Sequence, residues 1–358
     1  MKNKIFENLF VLELANNHWG DLKRGKEIVK QFAKIIKENK IKAAIKLQFR
    51  DVDNFIHKNF RDNGQGENLL NLPKRSRYIQ KTSKTKLTYN ELEELINYIK
   101  KHDCIPMSTP FDETSVDWCV NMDLPIIKIA SSDINDWILL NKIASTQKPV
   151  IISTGGANDK QIDDVIKFFS NRNIPLAVNH CVSKYPSEDN ELELNQIDYL
   201  KTKYPDLVIG LSTHEYHDWY SSMYISYAKG ARTWERHIDI PYPKGHEQKE
   251  VSIYCSLPHQ IDEWFKAFNR VAAMCGTSSN ERRIIDDKET KYLQALHRGL
   301  YLKQDIKKRS KITIDNLYSA IPYQYELGQI SSRDFIENDA VACKDLKKDS
   351  PLLKTDIQ

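Results

Sequence analysis

No stretch of this sequence approaches the ~20 consecutive apolar residues that a membrane-spanning helix needs. The opening segment MKNKIFENLFVLELANNHWG has no apolar core followed by a small-residue cleavage site. The expectation is a cytoplasmic chain, neither exported by that route nor embedded in a membrane. Cysteine is sparse and scattered: Cys104, Cys119, Cys181, Cys255, Cys275 and Cys343 form no C-x-x-C pair. That spacing excludes a thiolate zinc site and reads as reduced thiols. A polybasic tract is missing too, since 53 Lys and Arg balance 49 Asp and Glu to a net charge of +4 without long runs. Nucleic acid is therefore not an expected partner. No glycine-rich dinucleotide fingerprint follows the first apolar run, which argues against an open nucleotide-binding sheet.

What is present is an ordinary globular composition, 40% apolar and 28% charged, over 358 residues. That length suits a barrel domain of ~250 residues plus an appendage. Eight short apolar runs recur, at 9–14, 42–49, 104–111, 124–133, 149–156, 175–181, 207–214 and 231–238. Between them lie stretches of helical spacing, such as RGKEIVKQFAKIIKEN, TYNELEELINYIKKH and DKQIDDVIKFFSNRN. Strands alternating with helices predict right-handed βαβ units and a parallel sheet, and eight of them predict a closed (β/α)8 (TIM) barrel. The barrel is expected over 1–276 and a linker over 277–296, followed by a small, mostly β domain over 297–358. The segment 53–88 is long and rich in Asn, Gly, Lys and Arg, so it reads as an insertion able to lie over the barrel mouth.

In a parallel barrel the reacting groups sit at the C-terminal ends of the strands. Here polar residues close every run: Glu13, Lys46, Gln48, Ser108, Thr109, Lys128, Ser131, Asp133, Ser153, Thr154, His180, Ser183, His214, Glu235 and His237. Lys46 and Lys128 stand inside apolar runs, where an unpaired ammonium is costly. With the clustered hydroxyls they suit a bound phosphate and carboxylate better than a Schiff base, although surface lysines are the plain alternative. His214 and His237 end the last two runs, which suits either a divalent metal with open positions or two structural histidines. Asp133 and Glu13 are the acids best placed to orient a water or move a proton. The run RTWERHI packs Glu235, Arg236 and His237 side by side, which raises the question of what each faces.

These residues resemble the N-acetylneuraminate (sialic acid) synthase family and its relatives for other nonulosonic acids. The likeness is carried in order by ELANNHWGD, KLQF, STPFD, IKIASSDINDWILL, IISTGG, NHCVSKYPSE, IGLSTH and ERHI, and by a tail similar to the family's antifreeze-like (SAF) domain. The resemblance implies condensation of phosphoenolpyruvate with an open-chain amino sugar, with release of phosphate. It implies Mn2+ or another divalent ion held by His214 and His237. It implies a phosphoenolpyruvate cradle of Lys46, Lys128, Ser131, Ser153, Ser183 and Ser212, with Asp133 and Gln48 on the attacking water. Glu13, Tyr185, Glu247 and Arg298 look like sugar contacts, Arg298 reaching a partner's site in a domain-swapped homodimer. Glu235 and Arg236 read as structural neighbours of His237. The chain departs from the family pattern at Thr213, at Asp133, a shorter acid, at Ser183, which lacks an amide donor, and at the KGHEQ segment, which with NNHWG bears on which sugar is used. The other readings are a Schiff-base pyruvate aldolase using Lys128 and an inactive sugar-phosphate binding protein.

Overall fold

The computed structural model describes residues 4–61, 73–276 and 281–358. Eight parallel strands close on themselves in chain order: β1 (Leu9–Ala15), β2 (Ala43–Phe49), β3 (Ile105–Pro110), β4 (Ile126–Ile129), β5 (Val150–Ser153), β6 (Leu176–Cys181), β7 (Val208–Ser212) and β8 (Thr233–His237), with β8 pairing back onto β1. Each lies within one of the eight apolar runs or extends one by a residue. The strands read as nearly continuous apolar segments because both of their faces are buried.

Alternation along each strand builds two cores. Outward residues such as Phe10, Leu12, Ile45, Leu47, Ile127 and Ile152 join one cluster with the surrounding helices. Helix Leu22–Asn39 offers that cluster Ile28, Val29, Phe32 and Ile36, a stripe at helical spacing, and begins where the Asp21 side chain accepts the Lys23 N–H. Helix Tyr89–Lys101 starts in a Thr88–Glu91 capping box. Phe10 meets Trp264, Phe265 and Phe268 of helix Pro258–Cys275 edge to face, at centroid distances of 4.8, 5.1 and 5.0 Å. Helix Gln196–Lys203 joins β6 to β7 where the sequence offers little helical pattern, because only Ile197 and Leu200 of its eight residues are buried.

Inward residues from the first half of the strands form a second cluster: Leu9, Val11, Ala44, Met107, Ile126, Ile151, Ala177 and Val208, capped by Phe6. This layer fills the foot of the barrel, and the next inward positions toward the C-terminal ends are polar.

The segment after β2 forms helices Val52–Phe55, Lys58–Arg61 and Pro73–Lys84, and its residues 62–72 lie outside the described residues. Its side chains Phe55, Tyr78, Lys81 and Thr82 line the cavity at the barrel mouth, where the sequence suggested a covering insertion.

The chain divides into two compact units, Met1–Thr277 and Ser278–Gln358. The second has its own core around Leu302, Ile312, Leu317, Phe335 and Leu352. It carries two antiparallel pairs, Gly299–Leu302 with Leu317–Ala320 and Lys311–Ile312 with Ala340–Val341. The stretch read as a linker contains helix Asp287–Gln294, none of whose residues is buried. Among the described residues no helix is long and apolar enough to cross a membrane.

Candidate active site

Above the apolar foot, the inward positions are Glu13 on β1, Lys46 and Gln48 on β2, Thr109 on β3, Lys128 on β4, Ser153 on β5, Cys181 on β6, Ser212 on β7, and Glu235 and His237 on β8. All of them line one cavity of about 780 Å³ at the C-terminal mouth. Loops just beyond the strands add Ser131, Asp133, Gly155, Ser183, Tyr185 and His214. Twelve of the thirteen residues assigned to this chain's own barrel mouth by resemblance are thus brought together, and Glu247 is the exception.

The two lysines are held differently. Lys128 Nζ donates to Ser153 Oγ at 2.7 Å and to the Ile129 carbonyl at 2.9 Å. Lys46 Nζ lies directly against Glu13, 3.4 Å from Glu235, and donates to Thr109 Oγ1 at 3.0 Å. Burial pushes its ammonium down to about 8 against the pull of Glu235. Glu235 is held below its usual range by the charges of Lys46 and Lys128, which outweigh its burial. One oxygen of Glu235, Oε2, and Oε1 of Glu13 are buried without a hydrogen-bond partner, so both carboxylates keep an acceptor for a ligand.

Ser131, Gly155 and Ser183 form a tight corner. Ser131 Oγ accepts the Gly155 N–H at 3.1 Å, and a Cβ on residue 155 would lie 2.0 Å from Ser183 Oγ and 2.8 Å from Ser131 Oγ. Only glycine permits two hydroxyls to stand this close to the backbone. In the same turn, Asp133 accepts from Ser132 Oγ at 2.9 Å while its Oδ2 is buried without a partner. Desolvation raises its carboxyl to about 6 despite the nearby Arg50 and Lys128.

His214 and His237 face each other with ring centroids 5.5 Å apart. Tyr185 packs over His214 at 4.0 Å, and Tyr254 stands 5.4 Å from His237. Burial lowers His214 to about 4 and drives His237 well below its ordinary value, helped by the charge of His214, so both rings are neutral at physiological pH. The contact of His214 Nδ1 with the Val182 carbonyl, 3.2 Å, requires the proton on Nδ1 and leaves the lone pair on Nε2. That chemistry fits a divalent ion. Among the described residues no group of three or more His, Cys, Asp or Glu gathers as a metal site. The pair would therefore supply two ligands and leave the remaining positions to water or substrate.

The alternation also resolves Glu235, Arg236 and His237. Glu235 and His237 point into the cavity, while Arg236 points outward and pairs with Glu215 at 2.6 Å between Trp219 and Trp264. Glu235, read as a structural or supporting neighbour of His237, lines the cavity and bonds Lys46. Thr213 also turns outward and donates to Glu215. Three strand-end residues in the sequence reading face away for the same reason: Ser108 donates to the Leu47 carbonyl, Thr154 to the Asn179 carbonyl, and His180 Nε2 to the Leu192 carbonyl. Glu247 is exposed and paired with Lys84 at 3.0 Å, outside the cavity, so its assignment as a sugar contact is corrected. Arg298 is exposed in the second unit, just before Gly299–Leu302. The sequence reading missed Arg50, Lys81 and Tyr254, which line the cavity. Arg50 continues the inward parity of 44, 46 and 48 past the end of β2, a signal that was available.

A closed parallel barrel with a lysine-, carboxylate- and histidine-lined cavity at its C-terminal mouth belongs to the barrel enzymes. The chain belongs to the NeuB family, whose model matches residues 35–280. It is 27% identical to the N,N'-diacetyllegionaminic acid synthase of Campylobacter jejuni over 94% of this chain and 99% of that one. It is 25% identical to a pseudaminic acid synthase of the same organism over 92% and 94%. The crystal structure of a Chromobacterium violaceum protein assigned to spore coat polysaccharide biosynthesis superposes with a TM-score of 0.86 at 30% identity, covering 98% of this chain and 100% of that one.

Proposed function

We propose that this chain is a nonulosonic acid synthase that condenses phosphoenolpyruvate with the open-chain form of an N-acylated amino sugar and releases phosphate. The observation that carries this reading is the convergence of Lys46, Lys128 and two neutral imidazoles on a single cavity. Legionaminic and pseudaminic acid synthases among the relatives support it.

In this reaction C3 of the enolpyruvate bonds to the sugar aldehyde carbon, a water oxygen bonds to C2, and the C2–phosphate bond breaks to leave a 2-keto acid. Lys128, Ser131, Ser153 and Ser183 supply ammonium and hydroxyl donors for the phosphate, with Lys46 and Ser212 beside the carboxylate. Asp133, with an oxygen lacking a partner and a carboxyl near 6, is mostly ionised at neutral pH and takes the proton of the attacking water, which Gln48 helps to orient. Glu13 and Tyr185 stand where the sugar would lie. A divalent ion, Mn2+ or another, bound by His214 and His237 would supply Lewis acidity at the aldehyde oxygen.

The geometry gives no support to a Schiff-base lysine. Lys128 donates to two acceptors and Lys46 lies between two carboxylates, so both amines are engaged and neither is free to attack a carbonyl. A partner copy belongs to the same reading: helix Asp287–Gln294 buries nothing, and Ile284, Tyr292 and Leu296 nearby are exposed, a surface suited to a domain-swapped homodimer in which the second unit, an antifreeze-like domain, brings Arg298 to the neighbouring site. The cytoplasm, where phosphoenolpyruvate is made, is the fitting location. The deciding experiment is a phosphate-release screen with phosphoenolpyruvate against N-acylated hexosamines and 2,4-diamino sugars, with and without Mn2+. Release with one sugar, lost on chelation, is expected, and no release with any sugar overturns the reading.

A further inference from the structure

Among the described residues of the barrel unit, three arginines are more than nine-tenths buried: Arg24, Arg50 and Arg236. Two are matched by carboxylates at 2.6 Å, Arg24 by Asp239 and Arg236 by Glu215. Arg50 has no carboxylate at ion-pair distance among the described residues. Its Nη2 donates to Gln48 Oε1 at 2.8 Å, its guanidinium carbon lies 3.8 Å from the centre of the Phe111 ring, and the side chain of Tyr78 in helix Pro73–Lys84 hydrogen-bonds it. Its Nε has no partner. A buried guanidinium with no carboxylate in direct contact is costly, and its planar fork matches an oxyanion.

Arg50 opens onto the main cavity. Its charge is felt both by Lys46 and by Asp133, which also feels Lys128, so it stands over the same region as the two lysines. Lys46 is already matched by Glu13 and Glu235. Among the described residues, the buried cations of this cavity not already paired with a carboxylate are Lys128 and Arg50, and phosphoenolpyruvate carries both a phosphate and a carboxylate.

We propose that Arg50 is a substrate-binding residue whose guanidinium closes on a phosphate or carboxylate oxyanion of the bound enolpyruvate. The proposal rests on the synthase reading and adds to it a residue that the sequence comparison did not assign. The same chemistry has a second source, an acid group carried by the sugar, and the test separates the two.

Phosphate release by the full chain is measured while phosphoenolpyruvate and sugar are varied in turn, for the parent, Arg50→Gln and Arg50→Lys. Arg50→Gln is expected to raise KM for phosphoenolpyruvate by about tenfold or more while KM for the sugar moves by less than about twofold, with Arg50→Lys in between because it keeps the charge and loses the fork. A rise confined to an acidic sugar overturns the assignment to the enolpyruvate. Movement of neither KM, with Tm retained, overturns Arg50 as a ligand altogether. Should Arg50→Gln fail to fold, Arg50→Lys carries the comparison. Should the parent release no phosphate with any sugar, the synthase reading fails on its own. Calorimetric binding of phosphoenolpyruvate to parent and Arg50→Lys then still decides, since equal affinities overturn the anion site.

Discussion

His214 and His237, on neighbouring strand ends, turn their imidazoles toward each other at 5.5 Å across the barrel mouth, with Tyr185 packed on one and Tyr254 beside the other. His214→Ala or His237→Ala should lower Mn2+ affinity by about 100-fold or more, beyond the effect of losing an outer partner of a ligand. Electron paramagnetic resonance of unbound Mn2+ measures this without reference to turnover. Unchanged binding in both variants would remove the pair from the site.

The rate of phosphate release should rise and fall with pH. Asp133, raised to about 6, is protonated below that value and accepts no proton, so kcat/KM falls as pH drops through about 6. Lys46, lowered to about 8, loses its charge above that value, so the alkaline limb begins there. Asp133→Asn should remove the activity and with it the acid limb. The profile of kcat/KM from pH 5 to 9 tests both limbs, as apparent values of interacting groups.

Borohydride added with pyruvate should leave the mass of the intact protein unchanged, since Lys128 is tied to Ser153 and the Ile129 carbonyl and Lys46 to two carboxylates. A lysine adduct found by mass spectrometry would restore the aldolase alternative.

Gly155→Ala should weaken phosphoenolpyruvate binding more than stability, because its Cβ displaces the hydroxyls of Ser183 and Ser131. Gly210→Ala acts in the wall below, where a Cβ would lie 1.9 Å from Thr233 Oγ1 and 2.5 Å from the Thr233 carbonyl. There the overpacking should cost about 1–3 kcal/mol, read from urea unfolding.

Arg236→Ala should destabilise by about 3–5 kcal/mol, because it strands the buried Glu215 carboxylate that also holds Thr213 and Ser222. Chemical denaturation measures this, and a change below about 1 kcal/mol would show that the pair contributes little.

The barrel was legible because its strands are apolar on both faces and the runs between them have helical spacing. The site was legible because polar residues end those runs. Burial on both faces also hid the facing of single residues: Ser108, Thr154 and His180 look like site residues until the pleat places them on the outer wall. Glu235 looked structural beside Arg236 for the same reason, although period two alone separates the pair. Arg50 was open to that argument and escaped notice because it lies one residue beyond the apolar run. Glu247 lies on a connection whose path no local pattern fixes, and its partner Lys84 comes from 163 residues away.

Phe6 and the aliphatic ring above it leave this vessel without a drain. Among the described residues the foot is closed by side chains, so a molecule seated against Lys128 and Ser153 is reached from the C-terminal mouth.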